Sequence, residues 1–233
     1  MVLHSSFQGL HAPSALVRQL AGWLPEGVGA SRQDVAERLG QWLNVNETIA
    51  LRSALAAAGS AAVRRSAPAA DPLALHRALQ QELQRVRAVL TQSITARDAS
   101  HRPDASALDT EWALFHQRLG DQQRRMALSV EALRGHVRQA LAQSTPELAQ
   151  LAALDAAMEP LLAGREARLL GSLPALLKAR FVALRQQAAD PSDTVRDDLR
   201  WLHNFAHEFE QILLAELELR LQPVIGLIES LPA

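Results

Sequence analysis

No cysteine and no tyrosine occurs among the 233 residues, and aromatic bulk is limited to five Phe and four Trp. Without a thiol there is no disulfide framework, thiolate zinc site, iron-sulfur cluster or cysteine nucleophile. So few aromatics suit narrow helix-helix seams better than the interior of a β-sandwich. Long apolar runs are also missing. Even ILLAELELRLQPVIGLI is broken by Glu216, Glu218, Arg220, Gln222 and Pro223, so no integral membrane segment is expected. The opening MVLHSSFQGLHAPSALVRQL lacks a basic start followed by an apolar block, so no signal peptide is expected. An excess of charge is absent too: the net charge is −1, which gives no global pull toward nucleic acid or anionic lipid.

What is present is leucine and alanine in helical periods. Apolar residues make up 48% of the chain, enough for a real core. Ser14 precedes Leu16, Val17, Leu20 and Leu24, the spacing of a short helix that should stop at Pro25 and Gly27. Ser31 opens a second helix, with Val35, Leu39, Trp42 and Leu43 on one face, and a third runs from about Asn46 to Ala58. The segment SAAVRRSAPAADP has two prolines and no periodic face, as a linker would.

Longer helices follow. One spans roughly Pro72 to Arg97 with Leu79, Leu83, Val86, Leu90 and Ile94 on one side. The next, about Ser106 to Gln143, carries Trp112, Leu119, Met126 and Leu133 at intervals of seven, a coiled-coil period. Gln122 and Ser129 interrupt its companion seam position, where a polar residue can fix register. Thr145-Pro146-Glu147-Leu148 starts another helix, which Pro160, Gly164, Gly171 and Pro174 are expected to kink or split. A last long helix carries Val195, Leu199, Leu202, Ala206, Phe209 and Leu213. The expected fold is therefore all-α: a small three-helix N-terminal module over 1–59, a linker over 60–72, and an elongated antiparallel helical bundle or coiled coil over 73–233.

Chemistry is harder to find in this pattern. His203, His207 and Glu210 share one helical stripe, an arrangement that metal ligands on one helix adopt. Zinc needs at least three protein ligands, however, and Asn204 stands where a helical zinc hydrolase has its Glu. In the seam register His203 and Glu210 fall at flanking positions and His207 on the outer side, so all three read as a solvated edge. No metal and no cofactor is expected. The stretch SRQDVAERLGQWLNVNETIALRSAL has the rhythm of a helix-turn-helix, but Gln41 and Asn46 occupy positions that should be apolar, and only Arg52 follows as a phosphate anchor. Nucleic-acid binding is not expected, although a nucleic-acid-binding regulator acting through this module is the second functional reading.

The segments SALVRQL, SRQ at 31–33, ERLGQWL at 37–43 and IALRSAL resemble the opening of an uncharacterised bacterial domain-of-unknown-function family. That resemblance implies genes that neighbour flagellar-stator-like inner-membrane proton channels and peptidoglycan-binding proteins of the outer-membrane-protein-A type. It supplies no catalytic residues. The expectation is a non-enzymatic cytoplasmic scaffold or adaptor serving a proton-driven cell-envelope complex, with homo-oligomers forming through the long helices. Ser31, Arg32, Gln33 and Trp42 are the candidate contacts in the module, and His203 is the candidate beside the last seam.

Overall fold

The computed structural model describes residues 14–23, 48, 49, 52, 53, 56, 71–96, 108–188 and 199–232. Among them the regular structure is entirely helical: α1 (Ala15–Ala21), α2 (Pro72–Thr95), α3 (Leu108–Ala142), α4 (Pro146–Leu170), α5 (Leu173–Ala188) and α6 (Arg200–Glu229). Most of the expected module lies outside the described residues. Thr48, Ile49, Arg52, Ser53 and Ala56 are helical, within the third helix expected there.

Local chemistry sets most of the ends. Ser14 caps α1 by accepting from the Val17 amide, and the helix stops at Gly22, earlier than the expected Pro25 and Gly27. Asp71 accepts from the Leu73 amide with Pro72 in the first turn of α2. Thr145 does the same for α4 through Leu148, with Pro146 behind it. Of the expected breakers, Pro160 and Gly164 lie inside α4, and only Gly171 ends it. There the chain turns so tightly that a Cβ on Gly171 would stand 2.9 Å from the Ala167 carbonyl oxygen. Pro174 sits in the first turn of α5, where its missing N–H costs nothing.

Side-chain pairs give the topology. Ser93 and Gln122 face one another across the α2–α3 hairpin: the Gln122 amide donates to the Ser93 carbonyl at 3.1 Å, and the Ser93 hydroxyl returns a bond to Gln122 at 3.1 Å. The polar seam position thus pairs with a specific partner, which pins the register of α2 on α3. Phe115 meets Phe209 and Gln123 meets Glu216, so α3 and α6 run parallel. The short 143–145 connection turns α4 back along α3, and α5 continues the same downward course against α6. The result is a bundle of α2, α3, the α4–α5 arm and α6, with α1 docked on α6.

The core follows the expected stripes. Leu79, Leu83, Leu90 and Ile94 are buried on α2, as are Leu119, Met126 and Leu133 on α3. At the far end Val224, Leu227, Ile228 and Leu231 are buried, so the segment 224–232 covers the bundle. Leu16 of α1 belongs to the same core cluster. No described helix is long and apolar enough to cross a membrane.

Candidate functional site

Six aromatic rings gather where α3 begins, α5 passes and α6 begins. Trp112 and Phe115 come from α3, Phe181 from α5, and Trp201, Phe205 and Phe209 from α6. Phe115 meets Phe205 edge-on at 4.9 Å and Phe181 meets Phe205 edge-on at 5.1 Å, the arrangement the ring quadrupoles favour. Trp23, just past α1, lies under the Arg180 guanidinium at 5.7 Å. That guanidinium also forms a two-pronged pair with Glu208 at 2.7 and 2.6 Å. The Glu208 hydrogen bond outweighs burial and raises the Arg180 pKa above its ordinary value. This end is a filled core.

Toward the other end the interior becomes ionic. Glu216 is completely buried. Gln123 of α3 donates to its carboxylate at 3.0 Å, Arg220 one turn along α6 donates at 2.9 Å, and Arg220 also reaches Glu166 of α4 at 2.8 Å. A buried carboxylate is tolerated because its lone pairs are met by a charge and an amide together. The chain Gln123, Glu216, Arg220, Glu166 thereby ties three helices in one register. Such fully partnered groups hold structure rather than present a reactive atom.

The α3–α4 contact is built the same way. Arg134 forks onto Asp155 at 2.8 and 2.6 Å, and Arg138 reaches Glu159 at 2.6 Å. Burial opposes the Arg134 charge, but Asp155, with Glu159 and Glu166 behind it, outweighs that penalty and raises its pKa. The consequence for α4 is unusual. Its inward seam runs through Leu148, Ala152, Asp155, Glu159 and Leu162, in alternating steps of four and three, so two of its four acids point inward.

A second seam with the same alternation runs through Glu147, Leu151, Leu154, Met158, Leu161 and Arg165. Glu147 is exposed and the other five are half-buried, while Leu169 beyond them is 72% exposed. Among the described helices α4 packs extensively only on α3. Its second seam is a half-buried apolar line on the flank of the bundle, and it is the candidate site.

His203 is exposed on α6 and so is His207, but Glu210, expected on the same solvated edge, is buried. Arg87 of α2 pairs with Glu218 at 3.0 Å, and α2 ends at Thr95, eight residues further on, which in this antiparallel pair is level with Glu210. His203 lies seven residues past that point, roughly 10 Å beyond the end of α2. The two residues share a stripe but not an environment. Ser31, Arg32, Gln33 and Trp42 lie outside the described residues. No group of three His, Cys, Asp or Glu is placed to hold a metal ion among the described residues.

Sequence reasoning missed the ionic chain and the second seam of α4. Glu216 and Arg220 at i and i+4 were a signal for the first, and Glu147 to Arg165 in steps of four and three for the second. A family model described as "Protein of unknown function (DUF3348)" matches residues 3–233, and the chain belongs to that family. No curated protein and no solved structure matches it.

Proposed function

We propose that this member of the DUF3348 family is a non-enzymatic helical scaffold that works through helix-helix docking, in the cytoplasm, in the service of a proton-driven cell-envelope complex. The observation that carries the docking part is α4. Its Asp155 and Glu159 are turned inward onto Arg134 and Arg138, and a heptad line of Leu151, Leu154, Met158 and Leu161 is left half-covered on its flank. A helix partner would complete that line as the other helices complete their own. The paired interior supports the non-enzymatic part, because the buried charges traced through α3, α4 and α6 are engaged with one another. The envelope part rests on the gene neighbourhood that the N-terminal resemblance implies.

The test is affinity purification of the tagged full-length chain from cells expressing its whole gene cluster, beside a Leu154→Asp, Met158→Asp variant. The reading expects a channel or peptidoglycan-binding component to co-purify with the native chain. Recovery of none of them would overturn the envelope assignment. Equal recovery by both proteins would overturn the role of α4.

A further inference from the structure

The outer face of the α4–α5 arm carries charge of one sign. Arg168, Gly171, Ala175, Lys178, Val182 and Arg185 follow one another in alternating steps of three and four, and all six are exposed. Gly171 keeps helical backbone angles, φ −62° and ψ −19°, so the line crosses from α4 into α5. Opposite it, Leu170, Leu173, Leu177, Phe181 and Leu184 are buried across the same junction. Arg168, Lys178 and Arg185 form no ion pair among the described residues, unlike Arg134, Arg138, Arg180 and Arg220. No free acid offsets them along the arm: between Leu148 and Ala188 the acids are Asp155, Glu159 and Glu166, and an arginine of α3 or α6 engages each.

We propose that this line is where the protein adsorbs to an anionic phospholipid surface. The net charge of −1 does not oppose this, because exposed acids more than about 8 Å away are largely screened at physiological salt. By helical rise the three cations stand roughly 15 Å and 10 Å apart, with only Gly171, Ala175 and Val182 between them on the line. No bulky group gives the line a shape to match, so it reads charge. Lipid headgroups diffuse to meet cations at such intervals. Duplex phosphates are fixed, at one charge per roughly 1.7 Å of axis, and three cations would match them thinly. An acidic helix would have to hold its carboxylates at the same irregular intervals. Val182, 40% exposed, and Leu169, 72% exposed and next to Arg168 in the chain, add apolar atoms suited to the headgroup boundary. The inference does not draw on the scaffold reading above.

Flotation of the full chain with vesicles tests this. Vesicles of phosphatidylglycerol and phosphatidylcholine in equal parts are expected to carry the chain upward at low salt, and vesicles of phosphatidylcholine alone are not. Raising the salt should release it. Lys178→Gln should weaken association about fivefold, and Arg168→Gln, Lys178→Gln and Arg185→Gln together about a hundredfold, as expected for one and for three cations lost from the surface. Arg77→Gln removes an exposed cation of α2 and should change nothing. All four positions are exposed, and far-UV circular dichroism checks that the variants remain folded. Lys178 is the one lysine of the chain, so its acetylation by a water-soluble amine reagent, read by mass spectrometry, should slow when the anionic vesicles are present.

Equal flotation with both kinds of vesicle, flotation indifferent to the triple variant, a loss from Arg77→Gln as large as that from Lys178→Gln, or acetylation unchanged by vesicles would overturn the inference. So would a chain that ignores the anionic vesicles. If that chain still captures an envelope component and loses it in the triple variant, the line belongs to an acidic protein, and the scaffold reading stands without the lipid. The envelope assignment fails separately, when the vesicles bind as expected and no component co-purifies.

Discussion

Helices α4 and α6 are both rich in leucine, yet α6 buries fourteen of its thirty residues and α4 only three of its twenty-five. Apolar content therefore does not decide how deeply a helix sits. Position does: α6 is packed by α1, α2, α3 and α5, whereas α4 leans extensively on α3 alone. Charge placement follows the same division. On α6 the buried Glu210 and Glu216 stand within an apolar surround, and on α4 Asp155 and Glu159 occupy the inward seam. One helix is a hub and the other a flank.

The contrast can be broken from the hub first. Phe205→Ala removes a fully buried ring at the meeting point of α3, α5 and α6, and is expected to cost about 3 to 5 kcal/mol in a denaturant titration. Glu216→Ala leaves Arg220 short of its buried partner and Gln123 without an acceptor, an expected loss of about 3 kcal/mol by the same measurement. A midpoint unchanged in either variant would contradict the hub description. On the flank, Leu169→Ala removes a side chain 72% exposed and should alter stability by less than about 0.5 kcal/mol.

The smallest effect concerns the start of α4. The carboxylate of Glu147 is held below its ordinary pKa by its own backbone N–H and then by the Thr145 hydroxyl. A depressed folded value means that the stabilising contribution is present above the unfolded pKa and is lost as pH falls through the folded one. Glu147→Gln should therefore flatten a small part of the acid limb of the stability profile and leave neutral pH nearly unchanged. A steeper acid limb in the variant would reverse the assigned sign.

The hub was more legible in the sequence than the flank. Leu79, Leu83, Leu90 and Ile94 showed the buried side of α2, and Leu119, Met126 and Leu133 showed that of α3, because each follows a period that one helix dictates alone. Thr145 and Pro146 likewise announced the start of α4 through purely local chemistry. Glu216 and Glu210 were not read as interior, since burial of a carboxylate depends on what other helices bring. Gln123 and Arg220 supply it for Glu216. The two seams of α4 overlapped in sequence as a segment apolar on several faces, and only the arginines of α3 separate them.

The gathering of rings at one end has an optical consequence. Trp23, Trp112 and Trp201, three of the four indoles in a protein without tyrosine, all report on the neighbourhood of α1, α5 and the first turns of α3 and α6. Their emission follows the hub, and α4 contributes no chromophore of its own. Far-UV circular dichroism, by contrast, sees every helix. Coincident transitions by the two probes would mean that hub and flank unfold together, and separated ones that α4 melts before those three tryptophans register any change.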